Sequence, residues 1–519
     1  MSLETGQVPV NGDETPDCEA FGLGRFIEEL RGAGELEVHA DLTHLADVAG
    51  HVDGNPKAVL FEHAGAQGVA LTANIMGSRA RMARAFGVEP KLLLQEIQRR
   101  LRTPQRVVEV SREQAPAQQV VLTGDAIDLT TLPIHLQHQH DGAPYISAAM
   151  DFARDAAAGW TNVGLRRLML RGRAETGIDL MAPSDLRAIF LASVARGEHL
   201  PLSIVVGAHP VDYLAATMRL PVDELRLIAA MRGQTLPVVK SVTNDLLVPA
   251  DAEYVIEGYL DAKGYVESEG PYGEFLGYYG EVKRNPVFRV TAITHRRNPV
   301  FQTISISGRA LGRTDTALLC SLRTEVLAWR ALEVAVREPL AVYAPPASGG
   351  VYNLRVSLRQ RVPGEARNAI AALFSSVANI KNVFVVDPDI DIFSDEQMEW
   401  ALATRFQPTR DLVVGDGFRT LPLDPSLDGA VTGSKAGYDM TLPFGATGLA
   451  SEVPETPTYT GARFASLREA LADGPKSFVQ LMAAVDSRDG REIVVTLEEL
   501  RNEGVLSRDE EGRYVLRGA

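Results

Sequence analysis

The sequence predicts an α+β protein with an N-terminal α/β segment, a central β-barrel-like domain, a second α/β domain and a small winged-helix-like tail. Three observations predict this. Helical and strand patterns alternate up to about residue 115 and again from about 313. Between them, from Gln119 to about Ile306, strand patterns follow one another with only two helices inserted, the mark of a barrel or sandwich. After residue 453 come three short helical patterns and a hairpin signal, the outline of a winged helix.

Residues 1–17 are polar and acidic and read as disordered. In the 18–115 domain, Phe21, Leu23, Phe26, Ile27 and Leu30 recur at helical spacing and give a first amphipathic helix over 18–31. Residues 58–62 and 68–73 read as short buried strands flanking a turn. Residues 78–86 read as a helix with Arg79, Arg81 and Arg84 on its outer side. In the 116–312 domain, strands are expected at 119–122, 146–152, 203–206, 286–294 and 300–306, with helices at 183–195 and 221–231. The 313–450 domain carries helices at 318–336, 366–377 and 396–405 and strands at 351–358 and 383–386. The 453–519 extension carries helical patterns at 467–472, 477–485 and 496–504, then a hairpin around Glu511-Gly512.

Composition narrows the function. A chain of 519 residues with 45% hydrophobic and 23% charged side chains is ordinary globular material. A net charge of -15 opposes nucleic acid or an anionic membrane as the main partner. Acids outnumber bases in the tail as well, so packing or oligomerisation is the expected role of its winged-helix outline, not DNA binding. Two cysteines make no disulfide framework, and no apolar run approaches a membrane span of about 18 residues. A cytoplasmic protein is expected.

The chemistry centres on Glu269-Gly-Pro-Tyr-Gly-Glu274. Glycines and a proline force the backbone to turn, and two carboxyls end up on one rigid turn. Paired carboxyls in a poorly solvated site do not both ionise readily, so one keeps its proton near neutral pH and can serve as acid or base. Taken alone, the stretch reads first as a solvated loop. The run Gly159 to Arg167, after a strand, offers glycines and two arginines suited to an anion or to a strand edge. Ser184 and Asp185 fall in the N-cap region of a predicted helix, and Glu224 in the first turn of another, where capping and the helix dipole alone would place such residues. His135, His138 and His140 have metal-like spacing but lie between Pro133 and Asp141-Gly142 in a loop, so a pocket-wall role ranks ahead of a metal role. Nucleotide, zincin and esterase motifs do not occur in the right context.

Taken together, eight stretches in order resemble the UbiD family of prenylated-FMN-dependent decarboxylases. They are Asn74 with Gly77-Ser-Arg; Asp141-Gly with Tyr145-Ile; Trp160-Thr-Asn; Thr243-Asn-Asp-Leu with Val248-Pro; Glu269 to Glu274; Thr294-His-Arg; Asp387 to Asp391; and Ala403-Thr-Arg. The resemblance runs from about residue 20 to 450. It implies a central split β-barrel that binds flavin, and reversible non-oxidative decarboxylation of an aromatic, heteroaromatic or α,β-unsaturated acid through a covalent adduct with prenylated FMN. It places the family's catalytic set on Arg167, Glu269 and Glu274, with Glu274 as proton donor.

The resemblance further implies a Mn²⁺ or Mg²⁺ ion held by Asn162, Asp185 and Glu224 at the flavin phosphate. Asp185 stands where some members carry histidine, and its oxygen suits a hard ion. Asn162, Val163, Gly164, Leu165, Arg166, Arg167, Ser184 and Met218 would line the flavin, with Lys435 as a further phosphate contact. Carbonyls of Ala215, Ala216 and Met218, with Arg405, fall where K⁺ contributors lie. Ile306, Ser307, Arg309, Leu421 and Leu423 would face the substrate acid and the CO₂ it releases. A flavin prenyltransferase as cofactor supplier and a homo-oligomer, dimer or hexamer, are implied in the same way. A second reading stays open: a catalytically silent flavin-binding or assembly protein acting through its tail.

Overall fold

The computed structural model describes residues 16–446 and 453–517. The expected disordered segment lies outside them apart from its last two residues. The chain forms two compact units, 1–441 and 442–519.

The centre of the first unit is a closed six-stranded barrel. Its strands run in the order Tyr254–Leu260, Leu200–Val206, Tyr145–Asp155, Trp160–Gly172, Glu175–Ile178 and Val287–His295, and the last pairs back onto the first. Val120–Thr123 adds to Val287–His295 outside the ring. Tyr145–Asp155 is buried over its first nine residues because one face looks into the barrel and the other lies under covering elements. The turn into the next strand is set by Asp155, whose Oδ1 accepts from the N–H groups of Ala157 and Ala158, with Gly159 at φ 76°.

Two barrel strands differ from expectation. The run from Gly159 to Arg167 opens a thirteen-residue strand, Trp160–Gly172. Tyr254–Leu260 was not expected, because Glu257 and Gly258 interrupt its apolar pattern. Glu257 is tolerated in the core because its carboxylate accepts from the backbone of Val242 and Thr243 and from the Thr243 hydroxyl. Trp160–Gly172 is paired unevenly on its two edges. It pairs with Tyr145–Asp155 along most of its length, but with Glu175–Ile178 only from Leu168 to Gly172. From Trp160 to Arg167 its other edge pairs with no strand among the described residues.

The N-terminal sheet has the order Leu36–Thr43, Ala58–Ala64, Val69–Ala73, Val300–Gln302. Its last strand was expected in the barrel domain; it pairs parallel with Val69–Ala73 instead. Helix Arg79–Phe86 does not turn all three arginines outward. Arg84 is exposed, but Arg81 is buried and donates to the Pro56 carbonyl at 2.7 Å and Glu35 at 3.2 Å, while Arg79 clamps the buried Glu325 at 2.8 Å. The helix packs on several elements, so more than one face is interior and an arginine on it must find partners.

The C-terminal sheet runs Pro339–Tyr343, Asn353–Leu358, Asn382–Val386, Thr432–Asp439, Leu412–Arg419. Helix Asp315–Ala335, capped by the Thr314 hydroxyl, leads into it. Asp315 ties this helix to the rest of the unit by accepting from the N–H groups of Met76 and Ser305.

In the second unit, helices Leu467–Ala472, Phe478–Ala484 and Arg491–Asn502 precede the hairpin Leu506–Arg508 with Tyr514–Leu516, a winged-helix outline. The third helix starts earlier than its apolar spacing suggested because Gly490, at φ 75°, sets its beginning. Leu481, Ile493, Leu497 and Leu500 form its core, each worth about 1.5–3 kcal/mol on burial. Among the described residues no helix is long and apolar enough to cross a membrane.

Candidate active site

Strand Glu267–Glu269 pairs with Lys283–Asn285, and Tyr272–Gly273 with Tyr279–Gly280, so the 269–274 turn is held by two short hairpins. The Gly270–Pro271 peptide is cis. Glu269 is fully buried and Glu274 nearly so. Two glycines keep space for them. A Cβ on Gly280 would lie 2.6 Å from Glu274 Oε1, and one on Gly273 would lie 2.4 Å from the His138 ring. His138 and Asp141 brace the turn from outside: Asp141 Oδ1 accepts from Gly273 N at 2.8 Å and Oδ2 from His138 N at 3.0 Å. Of the three histidines, His138 is the one packed against the turn.

Arg167, on the barrel strand, reaches between the two glutamates. Its Nε donates to Glu269 Oε1 at 2.9 Å and its Nη1 to Glu274 Oε1 at 2.8 Å. Three residues not singled out in the sequence complete the group. Asp179 Oδ2 lies 3.0 Å from Arg167 Nη2, Asn285 donates to Glu269 Oε2 at 3.1 Å, and the Tyr272 ring lies 4.4 Å from the Arg167 guanidinium carbon. The alternation Glu267-Ser-Glu269 against Lys283-Arg-Asn285 was the readable signal for Asn285; Asp179 left none.

The electrostatics distinguish the carboxyls. Burial pushes the Glu274 carboxyl above its ordinary range, against the opposing pull of Arg167 and Lys283. Asp179 is held below its ordinary range: burial is the largest influence and raises it, but Arg167 and Lys283 outweigh it. The arrangement offers one fixed cation, a carboxylate at Asp179 held in its charged form, and at Glu274 a carboxyl inclined to hold a proton.

A second constellation lies along the open edge of Trp160–Gly172. Glu224, in the first turn of helix Glu224–Arg232, accepts from the side-chain amide of Asn162 at 2.9 Å and from Val163 N–H. Asn162 Oδ1 and both oxygens of Asp151 are buried without hydrogen-bond partners. Among the described residues, the ion-pair partner of Asp151 is Arg166, at 3.7 Å. Burial first, then the charges of Asp151 and Asp185, push Glu224 up to about 8. Buried, unpartnered oxygens with crowded carboxylates are the donor set a hard divalent cation would satisfy, so Asn162 and Glu224 fit such an ion, while Asp185 bears on Glu224 through its charge.

The remaining expected residues divide. Ser184 accepts from Arg187 N as the N-cap of helix Asp185–Ala195, and Asp185 is exposed in its first turn. Met218 is buried, its N–H donating to the Ala215 carbonyl. Leu421 and Leu423 pack with Leu276, Phe275, Cys320, Val351 and Tyr352 beside the catalytic turn. Ile306 packs on the main core, away from that cluster, and Gly308 lies against Asp53. Two residues are elsewhere. Lys435, expected at a phosphate, donates its ammonium to the carbonyls of Phe374 and Val377 at 2.9 and 3.0 Å, capping helix Glu365–Ser376. Arg405, expected near K⁺, forms ion pairs with Asp389 and Asp387 in the C-terminal domain, its guanidinium serving those acids. Among the described residues, the group of three His or acidic side chains with ligand atoms within 4.8 Å of one another is Glu37, His39 and His51, in the N-terminal domain.

Comparison with known proteins bears on all of this. The chain matches family models described as the 3-octaprenyl-4-hydroxybenzoate carboxy-lyase N-terminal domain over residues 28–101, its Rift-related domain over 108–310 and its C-terminal domain over 317–440. An uncharacterized protein in the cooM 5′ region of Rhodospirillum rubrum is 30% identical over 450 residues, 85% of this chain and 94% of that one. The UbiD-class enzyme HmfF from Pelotomaculum thermopropionicum, solved with FMN, is 34% identical with a TM-score of 0.78 over 84% of this chain and 97% of that one. An evolved dimeric form of the same enzyme, solved with prFMN, is 33% identical with a TM-score of 0.74 over the same shares.

Proposed function

The chain belongs to the UbiD family of prenylated-FMN-dependent (de)carboxylases and is a carboxy-lyase, and on that premise we propose that it removes CO₂, reversibly and without net oxidation, from an aromatic, heteroaromatic or α,β-unsaturated acid with Glu274 as proton donor. The observation that carries the reading is Arg167, whose guanidinium is shared between Glu269 and Glu274 in a site closed to bulk water. Bound prenylated FMN supplies the electron sink for the carbon–carbon cleavage. The chain supplies the proton management. Arg167, Glu269, Asp179 and Asn285 fix the position of Glu274. Burial keeps its carboxyl above the ordinary range, so that it holds a proton to deliver to the carbon that lost CO₂. In the carboxylation direction the same oxygen takes that proton back.

Asn162, Glu224 and Asp185 would hold Mn²⁺ or Mg²⁺ at the flavin phosphate, and the free edge of residues 160–167 would offer main-chain groups to the cofactor. The carbonyls of Ala215, Ala216 and Met218 would lie beside K⁺. Leu421 and Leu423 would form an apolar wall for the acid's unsaturated system. We further place the protein in the cytoplasm as a homo-oligomer, supplied with cofactor by a flavin prenyltransferase.

The test is co-expression with such a prenyltransferase and purification without air. The mass of the small molecule released on denaturation is read together with the metal content. Prenylated FMN with one divalent ion per chain, and CO₂ release from aromatic or acrylic acids, is the expected result. Plain FMN or no flavin beside an active prenyltransferase refutes the cofactor assignment.

A further inference from the structure

The N-terminal sheet carries a group of metal-ligating side chains that the reaction does not use. Glu37 and His39 are two apart on strand Leu36–Thr43, so both stand on one face of the sheet. The neighbouring strand places Phe61 directly opposite His39, and the two rings stack with centroids 5.0 Å apart. His51 reaches the same face from the last turn of helix Leu45–Val52. Its ring meets Phe61 edge-on and lies 4.3 Å from the His39 ring, centroid to centroid. The ligand atoms of Glu37, His39 and His51 all lie within 4.8 Å of one another.

The carboxylate is aimed. Asn55 donates to Glu37 Oε2 at 3.0 Å, which leaves Oε1 turned to His39 Nε2 at 2.9 Å. Ligating carboxylates in metal sites have such an orienting partner. The Asn55 amide, the largest influence, and the His39 ring hold the Glu37 carboxyl below its ordinary range against the opposing effect of burial. Packing on Phe61 limits the rotation of both imidazoles. The hydrogen bond to Glu37 accounts for His39 but not for His51, whose ring makes no hydrogen bond among the described residues. The end of a helix where His51 stands favours a cation. Ligand atoms around a tetrahedral ion sit roughly 3.3 Å apart, given bonds of about 2.0–2.1 Å. The group is close to that spacing and open to water on one side, its His39 side chain 23% exposed. Two imidazoles with one carboxylate select Zn²⁺ over Mg²⁺ or Mn²⁺.

We propose that Glu37, His39 and His51 bind Zn²⁺ and leave its fourth position to water, in a site separate from the oxygen-donor set at Asn162 and Glu224. The ion clips strand Leu36–Thr43 to the end of helix Leu45–Val52. Its effect extends to the loop that follows. Asn55 donates its side-chain amide to Glu37 while its carbonyl accepts from Asn74 at 2.8 Å, and the Gly54 carbonyl accepts from Arg313 at 2.7 Å. Zinc therefore braces the junction between the N-terminal sheet and the segment that leads into helix Asp315–Ala335. It takes no part in the decarboxylation, so the site stands whether or not that reading holds.

The experiment uses the full chain, expressed without a histidine tag, stripped with a chelator and held in millimolar Mg²⁺ to fill the oxygen-donor site. Zn²⁺ is titrated against a chromophoric chelator into wild type, His39→Gln, His51→Gln and Asn55→Ala. His63→Gln serves as control, since His63 is exposed on strand Ala58–Ala64 and its ring faces the Gly68 carbonyl. Co²⁺ replaces Zn²⁺ in a parallel titration read by visible absorption, and thermal unfolding is followed with and without Zn²⁺. The expected result is one Zn²⁺ per chain, an intense Co²⁺ band typical of low coordination number, and an unfolding midpoint raised by Zn²⁺. Asn55→Ala should weaken Zn²⁺ binding roughly 10- to 100-fold, the usual cost of losing an orienting partner, and each variant at His39 or His51 by more. His63→Gln should match wild type. Midpoints without Zn²⁺ near that of wild type certify that the variants fold. No Zn²⁺ bound above the Mg²⁺ background, or full retention by His39→Gln and His51→Gln, overturns the proposal. An equal loss in His63→Gln overturns it too, by reducing the binding to an adventitious ion only.

Discussion

Replacing Arg167 by methionine should destabilise the protein in a way that depends steeply on pH. The guanidinium is about one-tenth exposed and lies 2.9, 2.8 and 3.0 Å from Glu269, Glu274 and Asp179. Methionine keeps much of the apolar volume and leaves three buried carboxyls with Lys283, 3.8 Å from Glu274, as the remaining cation recorded beside them. Breaking a buried ion pair by removing one partner costs about 3–5 kcal/mol. The sign follows from linkage. Without Arg167, burial and mutual repulsion raise the folded-state pKa of these carboxyls above their unfolded values of about 4. A raised carboxyl pKa destabilises the folded state at every pH above the unfolded value, by about 1.4 kcal/mol per unit once the pH exceeds the folded value. Below about pH 4 the carboxyls are neutral in both states and that penalty disappears. Urea denaturation of wild type and variant should therefore differ by about 3–5 kcal/mol at pH 8. At pH 3.5 the gap should shrink to about 1 kcal/mol, the share of lost packing and of the cation–π contact with Tyr272. An equal gap at both pH values would refute the claim that Arg167 works by compensating charge.

Glu274→Gln keeps the shape and removes the proton, and should lower kcat by about 10²–10⁴-fold with KM little changed; turnover near wild type would end its assignment as donor. Because burial raises the Glu274 pKa and the protonated form is the active one, kcat for decarboxylation should fall as pH rises through that raised value; a rate rising with pH would mean the carboxylate form is needed. Asn162→Ala and Glu224→Gln should each reduce divalent metal per chain, read by elemental analysis of protein purified without chelator, and unchanged stoichiometry would move the ion elsewhere. Lys435→Met should cost about 1–3 kcal/mol by taking the ammonium away from the Phe374 and Val377 carbonyls, while FMN affinity stays as in wild type; weakened FMN binding would restore it to the cofactor site.

The sequence made the paired carboxylates of 269–274 legible because a turn rich in glycine and proline holds them close along the chain, and their nearness needed no tertiary knowledge. Arg167 was legible only through its motif, since it lies 102 residues from Glu269. Asp179 carried no motif: it is a single acid after a four-residue strand, and it comes beside Arg167 through the register of one hairpin, in which Leu168 faces Ile178. Tyr254–Leu260 was missed because a buried, fully hydrogen-bonded Glu257 looks like a solvated residue to any pattern of apolar alternation. Lys435 and Arg405 show the converse. Cations in plausible motifs attract ligand assignments, yet both are spent inside the C-terminal domain, on helix-end carbonyls and on local acids. The tail helices were readable because a small unit must mark each element with its own caps, such as the Ser477–Gln480 capping box.

The half-bare edge of Trp160–Gly172 bears on how the site can evolve. Contacts offered there by peptide groups do not depend on which side chain follows, provided the chain stays extended; Val163 already gives its N–H to Glu224 with no help from its isopropyl group. Substitutions such as Val163→Ile or Leu165→Met should therefore be nearly silent for cofactor retention. A proline at 163, which deletes the amide and leaves the side chain small and apolar, should be ruinous. Drift at such positions erases the motif while the binding persists, so distant homologues can share the cofactor without sharing the letters that announce it.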